Sequence, residues 1–557
     1  METVLVCLVL LLLIVISGVA TRLIPGLPSP VLQITLGAVV AVLCPSFHIG
    51  FDPELFMLLF IPPLLFSDSW HFPKREFLLN TRPIVMLSIG LVFFTVGGIG
   101  YMVHWIIPEL PLPAAFALAA ALSPTDAVTL RSISSKLKMP QRITHILQGE
   151  ALLNDASGLV SFKFAVGAML TGVFSFKTAS LSLIFISLGG LAIGVILTYF
   201  FITLLGQLTL KSNDETTTEN LLLLLLPFTA YLSAEALGCS GILAAVSAGF
   251  TIDKAGFLDR TMARMRIEGH FVWGMLDLTL NGLIFILLGL YLPHAIELID
   301  NTGFGLADCS VIIAIITFSL IFLRALWIYI TLPFEALIAR HRRKTWHLPN
   351  LRIIAVFSLG GVRGTIALAA ILSLPTLMPD GTPFPQRDLL VLLVVGVVLC
   401  SLLISTIALP LVLPNLNAII SKPADNEESV AIIAASQAAI RGIEQCMEAL
   451  CLNASEQDIA ICQQVGNSLM AALNQFVLSN IGAESEKLAS IKALSYENQM
   501  RYASLEAARH ELLSLRKQRK INNTTMMTII SRLDLRQLTL INERKSSIFN
   551  IQKENSN

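Results

Sequence analysis

Long apolar stretches follow one another through the first three quarters of the chain, and they constrain its fold more than any other feature. The 557 residues are 55% hydrophobic and only 14% charged, whereas soluble domains have about a quarter charged residues. Residues 1–420 contain 46 of the 76 charged side chains, and residues 421–557 contain the other 30. The sequence therefore predicts a transmembrane domain over residues 1–420 and a helical, soluble C-terminal domain over residues 421–557.

The apolar stretches are long enough to be counted as membrane spans. A helix needs about 20 mainly apolar residues to cross a bilayer. By that rule we expect an all-α membrane protein with about 13 spans, and twelve or fourteen stay open as alternatives. The predicted spans are 4–21, 29–47, 54–69, 83–107, 113–130, 145–170, 180–207, 221–237, 240–252, 270–292, 309–332, 352–374 and 389–414.

Lysine and arginine are distributed unequally among the loops between these spans. Loops after odd-numbered spans contain nearly all of them, as with Lys74 and Arg75 after the third span and Arg264 and Arg266 after the ninth. Loops after even-numbered spans contain almost none. Because cytoplasmic loops are rich in these residues, we expect the N-terminus outside and the C-terminal domain in the cytoplasm.

Two spans contain sequences that interrupt a helix. Span five includes residues 121–126 (ALSPTD), and span twelve includes residues 358–365 (SLGGVRGT). Their offset of seven spans is odd, so the two would run in opposite directions. Broken helices at matching positions of inverted repeats mark the substrate site of many transporters. We therefore predict that spans 1–6 and 8–13 form two inverted repeats whose broken helices cross.

Charged side chains inside apolar spans are costly, so each is a functional candidate. An arginine cannot lose its proton in a protein and therefore needs an anion or helix-end carbonyl groups. Glu150 is a reasonable partner for Arg324, and Asp126 and Arg363 can neutralise the ends of the broken helices.

Asp155 is then the carboxylate with the least obvious partner, and its neighbour Asn154 is neutral. A carboxylate in a cavity that water can reach holds either a proton or a small cation, but not both. Such competition is the minimum requirement for antiport. One alternative for Asn154 stays open, namely that it only forms a hydrogen bond with a neighbouring helix.

Five stretches that occur in order along roughly residues 1–415 carry a family resemblance. They are IPPLLF (61–66), SPTDAV (123–128), GEALLND (149–155), NGLIFILLG (281–289) and GGVRG (360–364). Together they resemble the signature sequences of the monovalent cation:proton antiporters of the Na⁺/H⁺ exchanger group, which include bacterial exchangers. The pair Asn154-Asp155 within its stretch is the most specific of these matches.

The resemblance implies a cation site around one carboxylate. Asp155 would bind Na⁺ and the proton, and Asn154 would be the neutral neighbour found in electroneutral exchangers. Thr125 would offer a ligand from unwound backbone, and Asp126 would be the acidic residue at the crossover.

The resemblance also implies structural roles for the remaining charges. Glu150 and Arg324 would form a structural ion pair, and Arg363 would compensate the charges of the broken helices. The sequence departs from the family pattern at Ala151, where some bacterial relatives have a serine ligand, and at Asn281, where some have a carboxylate.

These departures leave the preferred cation open. Whether Ser67, Asp68 or Asn281 reaches the ion is open as well.

The function that follows is secondary active transport. The resemblance implies an antiporter of the bacterial inner membrane that exchanges Na⁺, or Li⁺, for H⁺ by alternating access, electroneutrally, in pH and Na⁺ homeostasis. Its partners would be these ions, the lipid bilayer and a second copy in a homodimer, with no cofactor and no nucleic acid. No nucleophile–base pair or metal spacing indicates an enzyme. The alternatives are a K⁺/H⁺ antiporter with the same site, or a membrane sensor or channel acting through the C-terminal domain.

Overall fold

The structure is a computed structural model, and it describes most of the chain. The described residues are 2–23, 28–44, 53–126, 129–131, 139–172, 176–209, 217–257, 263–297, 305–341, 351–413, 425–451, 456–481, 484–518, 520, 526, 529–530, 533–534 and 537. Within these ranges there are helices and no β-strand, which confirms the expected all-α class. Ala127 and Val128 of the SPTDAV stretch, and residues 45–47 and 414 at the ends of predicted spans, lie outside the described residues.

The chain divides into two compact units, Met1–Ile420 and Ser421–Asn557. The first unit contains helices α1 to α16 and one π-helical segment. Their bounds are α1 Glu2–Leu23, α2 Ser29–Leu43, α3 Pro53–His71, α4 Lys74–Leu79, α5 Thr81–Val85, the π-helical segment Met86–Gly90, α6 Leu91–Ile106, α7 Leu112–Ala121, α8 Gln141–Thr171, α9 Phe176–Thr209, α10 Thr217–Ala236, α11 Gly241–Thr251, α12 Ala263–Glu297, α13 Leu306–His341, α14 Leu351–Leu359, α15 Thr365–Leu372 and α16 Arg387–Val412.

Several of these helices have the length and composition of membrane spans. Six described segments qualify on both criteria, and the other apolar helices of this unit are shorter, interrupted or more charged. The six are Leu5–Leu23, Thr81–Ile106, Ile184–Leu208, Met265–Pro293, Leu306–Pro333 and Arg387–Val412. Each predicted span overlaps a described helix, while the count of 13 spans stays a prediction.

Local sequence explains where helices begin and end. Helix α11 begins after Ser240, whose side chain accepts a hydrogen bond from the Leu243 backbone N–H at 3.3 Å, as expected of an N-cap. Helix α8 ends at Thr171, and the following Gly172 has a φ of 67°, a left-handed conformation that glycine adopts without strain.

A π-helical turn lies between α5 and α6, and the sequence did not predict it. Its widened backbone leaves carbonyl groups available to other helices. The Trp327 indole of α13 donates to the Met86 carbonyl at 3.1 Å, and the Ser157 hydroxyl of α8 donates to the Ser88 carbonyl at 2.6 Å. The turn therefore ties this span to the two helices that carry the buried charges described below.

The second unit is helical in its described part. It contains α17 Asp425–Cys451, α18 Glu456–Ile481 and α19 Glu484–Lys517. Packing of α17 against α18, and of α18 against α19, links the three helices in sequence order.

Candidate functional site

The two interrupted helices meet at their breaks. The backbone leaves α7 at Ala121 and α14 at Leu359, and helix α15 resumes at Thr365. Where the two cross, the backbone N–H of Asp126 donates to the carbonyl of Val362 at 2.8 Å. A direct backbone hydrogen bond thus joins the two breaks.

Arg363 provides a second link across the crossing. Its Nη1 donates to the carbonyl of Ser123 at 2.5 Å and to that of Pro124 at 3.2 Å. These carbonyl groups follow the end of α7 and have lost their helical partners. The arginine charge therefore lies against the negative end of the broken helix, the place where a cation is favourable.

Gly364 permits the close approach of the two segments. A Cβ atom at this position would lie 2.6 Å from the Cβ of Asp126, which is much closer than two carbon atoms can pack. Only a residue without a side chain fits here unless the crossing widens.

Helix α8 passes beside the crossing and presents Asn154 and Asp155 to it. The Asn154 Nδ2 donates to the Thr125 Oγ1 at 2.7 Å. Both members of the pair are buried, Asn154 at 1% and Asp155 at 5% exposure. Among the described residues, nothing donates a hydrogen bond to the Oδ1 of either side chain. Since buried polar atoms nearly always have a partner, these two oxygens are unusual in having none among the described residues.

A cavity of about 50 Å³ extends from Asp155, and its volume suits a few water molecules. Its polar wall consists of Asp68, Thr125, Asp126, Asp155 and Asn281, and the rest is mainly apolar, from α3, α12 and α15. The structure therefore brings the predicted residues Thr125, Asp126 and Asp155 to one cavity.

The donor atoms around this cavity are all oxygens or amide groups. Carboxylate, hydroxyl and carbonyl oxygens suit hard cations. No three His, Cys, Asp or Glu side chains in the described part of the chain are arranged to hold one metal ion. The cavity wall therefore offers oxygen ligands of the kind that hard cations bind.

Glu150 and Arg324 lie away from the cavity and bind each other. Both side chains are 1% exposed, and two N–H groups of the guanidinium donate to the two carboxylate oxygens at 2.5 Å each. The Arg324 Nε also donates to the carbonyl of Phe357, at 2.7 Å, where α14 nears its end. This bidentate pair joins α8, α13 and the second broken helix.

Two further polar contacts near the cavity were not predicted from the sequence. Asp68, which lines the cavity, accepts a hydrogen bond from Arg131 at 2.6 Å, and Ser67 donates to Asp277 of α12 at 2.8 Å. Asp68 and Asn281 thus reach the cavity wall, whereas Ser67 is not part of it. The charges of Asp68 and Asp277 within predicted apolar spans could have signalled these two contacts.

Comparison with protein families gives a match over most of the chain. Residues 8–414 match the family model described as sodium/hydrogen exchanger, transmembrane. An uncharacterized Na⁺/H⁺ exchanger of Escherichia coli K12, YjcE, is 38% identical over 558 residues, which cover 98% of this chain and 100% of that protein.

A Bacillus relative and a solved structure extend the comparison. The sodium, potassium, lithium and rubidium/H⁺ antiporter of Bacillus pumilus is 42% identical over 413 residues, which cover 74% of this chain and 61% of the relative. The structure of the sodium proton antiporter MjNhaP1 from Methanocaldococcus jannaschii aligns with a TM-score of 0.55 at 17% identity. That alignment covers 75% of this chain and 99% of the other; it shows a shared fold.

Proposed function

The chain belongs to the sodium/hydrogen exchanger family of cation:proton antiporters, and from this premise we propose that it exchanges Na⁺, or Li⁺, for H⁺ across the bacterial inner membrane. The observation that carries the proposal is the buried carboxylate of Asp155. It lines the cavity, and its Oδ1 accepts no hydrogen bond from the described residues.

Competition at Asp155 would couple the two ions. The ionised carboxylate binds the cation together with oxygens of Thr125 and Asp126, and protonation removes the charge and releases the cation. Because Asn154 is neutral, one carboxylate carries one positive charge in either direction, and the exchange is electroneutral. Alternating access would follow from movement of the crossed helices relative to the rest of the membrane domain, as inverted-repeat transporters do.

The proposed setting in the cell follows from the loop charges. The N-terminus lies outside, and the transmembrane antiporter domain (1–420) precedes a cytoplasmic helical domain (421–557). We further propose that the protein acts as a homodimer in pH and Na⁺ homeostasis, as the family resemblance implies. Support for the orientation comes from the basic loops after odd-numbered spans.

A second candidate is K⁺/H⁺ exchange at the same site. One observation favours it: the Bacillus pumilus relative, at 42% identity, is named an antiporter of potassium and rubidium as well as of sodium and lithium. Asn281 adds a neutral amide rather than a fourth carboxylate to the cavity wall, and fewer charges would discriminate less strongly against a larger alkali ion.

Everted membrane vesicles test the proposal. An imposed pH gradient should collapse when Na⁺ or Li⁺ is added, and the Asp155→Asn variant should abolish this response because an amide cannot exchange a proton for a cation. A matched control is Asp380→Asn, which neutralises an exposed carboxylate and should leave exchange unchanged. K⁺ added in a parallel series decides between the two candidates.

The outcomes separate the hypotheses cleanly. If none of Na⁺, Li⁺ and K⁺ collapses the gradient in wild-type vesicles, the antiport proposal is wrong. If Asp155→Asn reaches the membrane at the normal level and still exchanges, the coupling site lies elsewhere, first at Asp126.

A further inference from the structure

Asp68 takes part both in the cavity wall and in an ion pair. Its side chain lines the cavity that contains Asp155, and its Oδ1 accepts a hydrogen bond from the Nη2 of Arg131 at 2.6 Å. One carboxylate is thus shared between the proposed cation cavity and a positive side chain.

The pair extends from the cavity wall at Asp68 to the more exposed Arg131. Asp68 lies three residues before the end of α3 at His71, and Arg131 follows the break after α7. From the charges of the sequence, we expect both segments to end on the side of the membrane that carries the basic residues. The Arg131 side chain is 47% exposed and that of Asp68 is 16% exposed, so exposure falls from the arginine towards the cavity.

The charges around Arg131 hold it in this position. Asp277 and Asp126 also attract its guanidinium, more weakly than Asp68 does. An arginine keeps its proton at all physiological pH values, so its charge persists while cations and protons exchange at Asp155. A cation that approaches from this side therefore meets a fixed positive charge bound to the first carboxylate of the cavity.

We propose that the Asp68–Arg131 ion pair is the gate of the cavity on this side, and that a cation must displace Arg131 from Asp68 to reach Asp155. The proposal rests on the proposed antiport function. An ion pair whose arginine is about half exposed to solvent is weak, so it opens at small cost and closes again behind the cation. Arg131 is then a positioning residue that sets the apparent affinity from this side without binding the cation.

The test is a KM measurement in everted vesicles, whose outer face is the proposed cytoplasmic side. Arg131→Gln should lower the apparent KM for Na⁺ about two- to fivefold, the range expected from removal of a half-exposed ion pair. Asp68→Asn should raise KM about tenfold, since the cation loses a carboxylate on its route. In the double variant the Arg131→Gln effect should vanish, because the arginine then has no Asp68 carboxylate to cover.

Two controls separate a gate from general stabilisation. Arg131→Lys keeps the charge and should restore a KM near the wild-type value. Lys74→Gln breaks another ion pair, with Asp253. Neither residue lines the cavity, so this variant should leave KM unchanged. A merely structural role of Arg131 would reduce the maximal rate through loss of folded protein and leave KM as it was.

Several results would overturn the proposal. An unchanged or raised KM in Arg131→Gln refutes the gate. So does a double variant whose change in KM is the product of the changes in the two single variants. If Arg131→Gln does not accumulate, Asp68→Asn and Arg131→Lys still decide, and an unchanged KM in the former is the refuting result. If wild-type vesicles exchange and Asp155→Asn vesicles do not, a refuting KM result removes the gate proposal and leaves the antiport proposal standing. If wild-type vesicles do not exchange, both proposals are wrong.

Discussion

Two acidic residues of helix α8 lie five positions apart and have opposite surroundings. Glu150 receives two hydrogen bonds from Arg324, whereas Asp155 faces the cavity with an oxygen that accepts no hydrogen bond from the described residues. A carboxylate whose two oxygens both accept from one arginine has no oxygen left for an ion, whereas an oxygen that accepts no hydrogen bond can bind one. The contrast separates a structural acid from a candidate transport acid.

Glu150→Gln should strongly destabilise the protein because it leaves the Arg324 charge buried without its carboxylate. Breaking one side of a buried ion pair costs about 3–5 kcal/mol. Lys163→Gln on the same helix is the matched control. Its 3.5 Å pair with Glu235 is largely exposed, and such pairs contribute about 0–1 kcal/mol. Thermal unfolding in detergent compares the two, and equal losses of stability would contradict the assignment.

For single residues, the sequence indicated which side chains are functional candidates more fully than it indicated which side chains they contact. Asp155, Glu150 and Arg324 were conspicuous because a charge in an apolar span is rare. Their roles stay predictions, although the structure places Glu150 against Arg324. The contact between Arg131 and Asp68 was not predictable, since Arg131 resembles any other basic loop residue until the fold brings α3 and the first break together.

Among the helices, small residues decide how closely pairs can approach. Helices α2 and α12 pack through Gly37 and Gly289, and an added Cβ at Gly289 would lie 2.1 Å from the Ile34 carbonyl oxygen. Glycines at such positions let helix backbones pack closely in membranes. The close packing of α2 and α12 therefore depends on the absence of these side chains.

Gly289→Ala should destabilise the membrane domain by about 1–3 kcal/mol, the usual cost of overpacking, because the atoms it meets are backbone. Gly274→Ala in the same helix is the control, since nothing lies within 4 Å of its added Cβ. That substitution should be neutral or slightly stabilising, as alanine favours helix. Detergent unfolding temperatures of the two variants provide the measurement; a larger loss at Gly274 would contradict the packing.

Helix positions were predictable because apolar length alone defines a span. Interruptions at proline and glycine likewise indicated the breaks at Pro124 and Gly360-Gly361. The π-helical turn Met86–Gly90 was not predictable, because its sequence is an ordinary apolar run. It depends instead on Trp327 and Ser157, which come from other helices.

For the whole molecule, the orientation proposed from the loop charges has direct consequences. The loop between α15 and α16, which includes Asp380, should face outside, whereas Lys254 and residue 421 should face the cytoplasm. Alkaline phosphatase is active only outside, and green fluorescent protein exported unfolded does not fluoresce there.

Fusions of both reporters at these three positions test the topology. Phosphatase should be active at Asp380 and inactive at Lys254, and the fluorescent protein should be fluorescent after residue 420. The reverse pattern at all three positions would invert the orientation, and a mixed pattern would change the number of spans.

The buried pair of Glu150 and Arg324 also has a consequence for biosynthesis. Its partners are 174 residues apart in the chain, and ribosomes add about 5–20 residues per second, so Glu150 waits roughly 10 to 35 s for its arginine. During that interval α8 is inserted with an unmatched acid, and the first half of the domain cannot complete its packing. The nascent chain must therefore be protected by the insertion machinery until α13 emerges.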